Sequence, residues 1–263
     1  MWANNSQGLI PTFPAEPPFD KVAAGFTTRQ LIKKNPLFGE DKPASNDAHE
    51  LRKAACEALG LDLLSFTSGK QVHGKKVVRV TEKERGRGAL DYYKGIPETD
   101  ALVTDMPGVS IGVFTADCVP VFLYDPIKSA IGIVHAGWRS TAKSIVALTV
   151  QVMFSEFGSS PRELWAAIGP SIGQCCYEVG PDVYDEFNSA FAYAESLFEK
   201  NGHQTWRLDL WQANRMQLVK SGVSLEHIIS HDLCTFCHSD RFFSARKHGP
   251  HSGRILSLIA LRL

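Results

Sequence analysis

The sequence has no surplus of either charge, since 28 Lys and Arg balance 28 Asp and Glu over 263 residues. That balance removes the broad electrostatic footprint by which proteins hold nucleic acid or an anionic membrane. No uninterrupted apolar run is long enough to span a bilayer, and the N-terminal segment lacks the basic-then-apolar pattern of an export leader. The expected location is therefore cytoplasmic, with function in a pocket. None of the nine histidines stands in an H-x-H pair. A multicopper centre needs many histidines, usually in such pairs, so copper does not fit. The H-x-E plus P-C-x-x-C signature of zinc nucleobase deaminases is also missing. With no internal repeat and no glycine-serine linker, residues 1–263 are expected to form one domain, in which 1–20 is an extended, proline-rich lead-in with room for one short strand.

The apolar fraction of 44% is ample for a sizeable core. Strand-like runs occur at 22–28, 66–67, 76–80, 100–104, 109–114, 119–124, 130–134, 164–168, 228–229 and 254–261. Helical spacing marks 47–59, with Asp47 and Glu50 spaced as a capping box, and also 141–157, a stretch from Pro181, and 210–219. Strands outnumber helices and do not alternate with them regularly. The expected fold class is therefore α+β, with mixed β-sheets flanked by helices. Residues 30–44 are polar and hold two prolines, a candidate lid. The charged, glycine-broken stretch 81–93 is expected to be an exposed loop.

The chain is organised around Thr115 to Thr141, TADCVPVFLYDPIKSAIGIVHAGWRST. Asp125-Pro126 is a turn signal between two apolar runs. If those runs pair as neighbours, Cys118 and His135 meet at one sheet edge. His73 lies in the turn Gln71-Val72-His73-Gly74. One Cys and two His with a fourth position left to water make the donor set of a catalytic zinc site. The same Cys118 and His135 also fit the nucleophile and base of a Cys-His hydrolase or deamidase, oriented by Asp117 or Asp100. A non-catalytic zinc protein serving as an interaction module is a third reading, and a buried Cys with two hydrogen-bonded histidines is the plainest.

Six cysteines in a reducing compartment point to thiols or ligands rather than disulfides. Cys175 and Cys176 are adjacent, poor geometry for a mutual bridge. Cys234-Thr-Phe-Cys237-His238 matches the haem-attachment pattern, but that chemistry belongs to exported proteins, and a lone C-x-x-C is half a zinc ribbon. Structural thiols are the first reading. Arginines stand near bends at Arg29 and Arg139 and, in the tail, at Arg241, Arg246 and Arg254; of these Arg29, Arg139 and Arg246 are the candidates for phosphate or ribose recognition, with Trp138 for stacking on a base. Asp117 is a candidate acid/base carboxylate. Adjacent strand residues face opposite ways, so it reaches the site only if the backbone bends there or the strand begins after Cys118. Pro120 makes regular pairing at that edge less expected.

QVHG at 71–74, DALVT at 100–104, TADCVPV at 115–121, HAGWRST at 135–141, GPSIGQCCYEVG at 169–180 and FFSARKHGPHSGR at 242–254 together resemble the YfiH family. Its members were long described as laccase-domain or polyphenol oxidase proteins and are now assigned as zinc-containing purine nucleoside phosphorylases. The resemblance implies a single α+β domain and one zinc ion on His73, Cys118 and His135. It implies phosphorolysis of adenosine, inosine, guanosine and methylthioadenosine, with adenosine deamination alongside, so the expected partners are a purine nucleoside and phosphate. The chain departs from the family pattern after GFTTR, at Ser140 and at Ala245, and these departures bear on substrate preference.

Overall fold

The computed structural model describes residues 8–31 and 46–263. Two sheets stack face to face. The first is five-stranded, in the order β1 (Leu9–Pro11), β2 (Val22–Thr27), β14 (Ile255–Leu261), β6 (Ser110–Thr115) and β3 (Phe66–Ser68). The second is six-stranded, in the order β13 (Ile228–Ser230), β9 (Trp165–Ile168), β7 (Val119–Asp125), β8 (Ala130–Ala136), β5 (Ala101–Thr104) and β4 (Val77–Arg79). Both are mixed. The pairs β3–β6, β4–β5 and β13–β9 are parallel and the other pairs are antiparallel.

Alternation of side chains along the strands builds the layers. In β7, Phe122 and Tyr124 face the first sheet, where they join Phe26, Ile111, Val113 and Ile259 in one core. Val119, Val121 and Leu123 of the same strand face the other way. They pack with Ile145, Val146, Val150 and Met153 of helix α3 (Ile145–Phe157). The outer face of the five-stranded sheet is covered by α1 (Asn46–Ala58), whose Leu51, Ala55 and Cys56 meet Phe66, Phe114, Leu256 and Leu258. Helices α4 (Pro181–Ala190) and α5 (Leu210–Lys220) complete the layer over the six-stranded sheet. The fold is therefore α+β as the strand pattern implied.

Several expectations are corrected. The helix expected over 141–157 is two helices, α2 (Trp138–Ala142) and α3, because Ser144 adopts the left-handed conformation (φ 60°) and breaks the ladder. A third sheet, β10 (Glu178–Val179), β12 (Trp206–Leu208) and β11 (Phe198–Lys200), and helix α6 (Ala245–His248) had no periodic signal, being two to four residues each. The stretch 81–93 is not simply exposed. Ala89 is buried, and the fully buried Arg52 of α1 donates to the carbonyls of Ala89 (2.6 Å) and Leu90 (3.0 Å). Pro120 sits in a central strand after all. It pairs with His135 before the partnership with β9 begins at Val121, so the missing N–H interrupts no ladder on that side. The short strand expected within the lead-in is present, as Leu9–Pro11 paired at the sheet edge. Most of the candidate lid, residues 32–44, lies outside the described residues.

Phe122→Ala removes a fully buried ring between the sheets. The substitution should lower unfolding free energy by about 3–5 kcal/mol, read by urea denaturation. Ile127→Ala, in the exposed β7–β8 turn, should change it by less than about 0.5 kcal/mol.

Candidate metal centre

The β7–β8 hairpin pairs Val119 with Ala136 and Pro120 with His135. Cys118 therefore precedes one strand where His135 ends the other, and both sit at the same end of the six-stranded sheet. His73 arrives from the turn after β3, in left-handed backbone (φ 55°). The ligand atoms of His73, Cys118 and His135 all lie within 4.8 Å of one another, with Cys118 Sγ 3.8 Å from His73 Nε2. The two imidazoles meet edge-on at 4.8 Å. Exposure grades from buried His135 through half-buried Cys118 to exposed His73, so the group opens outward.

Asp100, at the head of β5 and fully buried, arranges this meeting. Its carboxylate accepts from the backbone N–H groups of Val72 (3.1 Å), His73 (3.0 Å) and Gly74 (2.8 Å), which fixes the turn carrying His73. The same carboxylate lies 2.8 Å from His135 Nδ1, and the Asp100 carbonyl accepts from His135 N at 2.7 Å. An Nδ1–H held by a carboxylate turns Nε2 toward a ligand. Burial opposes the Asp100 charge, but His135 and the turn's N–H groups outweigh it and hold the carboxyl below its usual range. Gln71 adds a second tie, its side-chain amide donating to the Phe114 carbonyl and accepting from the Phe114 N–H, each at 2.8 Å.

The donor set fits a metal ion. Burial alone opposes a Cys118 thiolate, yet His135 and then His73, by charge and hydrogen bonding, bring the thiol down to about 6. Burial likewise opposes the His135 imidazolium, which Cys118 and Asp100 more than offset, raising it to about 9. Gly137 clears the space. A Cβ there would lie 2.9 Å from both Cys118 Sγ and His73 Cδ2, so no larger residue fits between the ligands.

The three side chains line a cleft of about 310 Å³ at the ends of the stacked sheets. Its other walls include Lys70, Tyr92, Tyr93, Phe114, Thr115 and Arg254. Tyr92 and Phe114 stack edge to face at 5.5 Å, and the Tyr92 hydroxyl accepts from Gln71 N at 3.2 Å. Arg254, just before β14, is held by the carbonyls of Pro250, Ser252 and Gly253. Burial lowers its pKa, although Cys118 and Tyr92 pull the other way.

The three arginines singled out in the sequence do not line this cleft. Arg29 donates to Ser239 O (2.8 Å) and covers the Phe243 ring. Arg139 lies over Trp138, itself packed against the apolar cluster beneath α2. Arg246 donates to Glu178 O (2.7 Å) and lies over Tyr177. Asp117 has the bent backbone required of it (φ 89°), and β7 starts only after Cys118. Its carboxylate accepts from Thr235 Oγ1 and from Arg246 N, both at 2.6 Å. Sequence reasoning passed over Tyr92, Tyr93 and Arg254 as site residues. The charged loop hid the tyrosines, and Arg254 stood among several tail arginines.

Asp100→Asn removes the charge that four donors share. Metal affinity, read with zinc by competition against a chelating dye, should fall about 10–100-fold. In metal-free protein, iodoacetamide labelling of Cys118 followed by peptide mass spectrometry should show a midpoint near pH 6. In His135→Gln that midpoint should rise toward the ordinary thiol range near about 8.5.

The family model described as "Multi-copper polyphenol oxidoreductase laccase" matches residues 33–262. A purine nucleoside phosphorylase, YlmD of Bacillus subtilis, is 34% identical over 250 residues, covering 92% of this chain and 89% of its own. An adenosine deaminase, RL5, from an unknown prokaryotic organism, is 36% identical over 197 residues, covering 74% and 75%. The crystal structure of the hypothetical protein YfiH of Bacillus licheniformis superposes with a TM-score of 0.92 at 32% identity, covering 99% of each chain. By the length of the family match, the similarity to YlmD and the shared fold, this chain belongs to the YfiH/YlmD family of laccase-domain proteins.

Proposed function

We propose that this protein is a purine nucleoside phosphorylase that holds one zinc ion on His73, Cys118 and His135. It would cleave adenosine, inosine, guanosine and methylthioadenosine with phosphate and deaminate adenosine alongside. The observation that carries the reading is the convergence of these three donors on the wall of a cleft that is also lined by aromatic rings and the half-buried Arg254. Relatives named as purine nucleoside phosphorylases, and one named as an adenosine deaminase, support the substrate class. The family description names copper, but among the described residues the two clusters of potential ligands contain only two histidines, His73 and His135. A Cys-His-His set suits zinc, which when bound acidifies water or polarises an oxygen.

The chain's own groups supply the rest. Phosphorolysis breaks a C–N glycosidic bond through an oxocarbenium-like state, so it needs an anion positioned on one side of the sugar and polarisation of the base on the other. Tyr92, Tyr93 and Phe114 give this part of the cleft an aromatic lining, the chemistry against which a purine packs. Arg254 is the guanidinium on the cleft wall and our candidate for the phosphate, ahead of Arg29, Arg139 and Arg246. Asp117, with both carboxylate oxygens engaged, serves as a support for the Cys118 corner.

A second reading has a specific observation behind it. Asp100, His135 and Cys118 form a carboxylate–imidazole–thiolate array with an acidified thiol, as a Cys-His hydrolase requires. Incubation with adenosine separates the two. Phosphorolysis should yield adenine and ribose 1-phosphate only when phosphate is present, and should be lost to a chelator and restored by zinc. A hydrolase should survive chelation and die with iodoacetamide. Retained zinc without any turnover would leave the interaction-module reading. Arg254→Gln should raise KM for phosphate about tenfold or more, through loss of a charge-assisted hydrogen bond.

A further inference from the structure

Cys175, Cys176, Cys234 and Cys237 take no part in the cleft, yet their sulfurs all lie within 4.8 Å of one another. We propose that these four cysteines form a second metal site, a tetrathiolate centre that holds a zinc ion and clamps the loop after β9 to the segment leading into α6. The pattern of contacts favours a shared ion over disulfides. Cys237 Sγ is 3.4 Å from Cys176 Sγ and 3.7 Å from Cys175 Sγ, so three sulfurs converge instead of pairing off. Zn–S bonds of about 2.3 Å in a tetrahedron separate the sulfurs by about 3.8 Å. Cys175 and Cys176, as sequence neighbours, are poorly disposed to bridge each other.

The backbone around the cluster is built for ligation. Cys175 and Cys176 sit in a tight turn closed by Cys176 N to Gly173 O (3.0 Å). Cys234 and Cys237 flank a second turn, closed by His238 N to Cys234 O (2.9 Å). The Gly173 N–H points at Cys234 Sγ (3.3 Å), a donor suited to a thiolate. The two turns are already registered by a parallel bridge, Ser171 to Cys234, with Thr235 N donating to Ser171 O (3.0 Å). Arg207 and Glu178 both line the surface hollow beside Cys175 and Cys176. Cys175 and Cys237 are exposed while Cys234 is buried, so an ion has a way in and an inner anchor.

The second site bears on the first through Asp117, whose carbonyl accepts from Ile172 N (3.0 Å) in the loop after β9. Thr235, next to Cys234, donates to Asp117, next to Cys118. An ion on the four thiols would hold that strut in place.

Metal analysis of anaerobically purified protein tests the proposal. Cys118→Ala should retain one equivalent of zinc, and adding Cys176→Ser and Cys237→Ser should remove it. Cobalt loaded into Cys118→Ala should give intense thiolate-to-metal charge transfer and tetrahedral d–d bands, a readout that needs no substitution within the cluster. Absence of zinc from Cys118→Ala together with cobalt bound without sulfur charge transfer would overturn the proposal. So would recovery of the four cysteines as disulfides. Because Cys118→Ala already disables the cleft site, the outcome does not depend on how the cleft functions.

Discussion

One buried carboxylate sets the geometry on which the site depends. Asp100 takes three backbone N–H groups from the turn carrying His73 and the imidazole Nδ1 of His135. A buried charge is tolerable only when donors surround it, and here the donors belong to the two segments that must meet. The carboxylate thus turns the cost of its own burial into a constraint on two ligands. The third ligand, Cys118, follows from strand register, which sets its strand opposite His135.

The sheets supply the rigidity. β7 and β8 lie inside the six-stranded sheet and are buried throughout. The ligands at their ends therefore inherit the precision of a packed core, while His73 and the aromatic walls come from connections. The cleft opens where the two sheets end together, so residues distant in sequence, such as Phe114 and Arg254, share its lining. Gly137 keeps the interior clear of side chain.

Much of this was legible in the sequence. The hairpin, its turn at Asp125-Pro126 and the meeting of Cys118 with His135 follow from period-two alternation, which reports the faces of a strand directly. The α+β class follows from the same pattern, and His73 was readable from its turn. Asp100 was legible only as one option for orienting a base. Its role lies in accepting from backbone that is remote in sequence, and no spacing encodes that. The arginines illustrate the opposite limit. Arg29, Arg139 and Arg246 each stand at a bend, but each satisfies neighbouring carbonyls or rings. Short elements such as β10–β12 carry too few residues to show a period, and Ser144 breaks a helix whose apolar stripe runs on across the break.

Asp100 fixes His135 so that Nε2 alone is offered outward. Nitrogen-15 NMR of the imidazoles, recorded across pH and during zinc addition, measures this directly. His135 Nδ1 should keep its proton throughout, with only Nε2 titrating and then losing its proton to the metal. Loss of the proton from Nδ1, or zinc bound with Nε2 still protonated, would contradict the account.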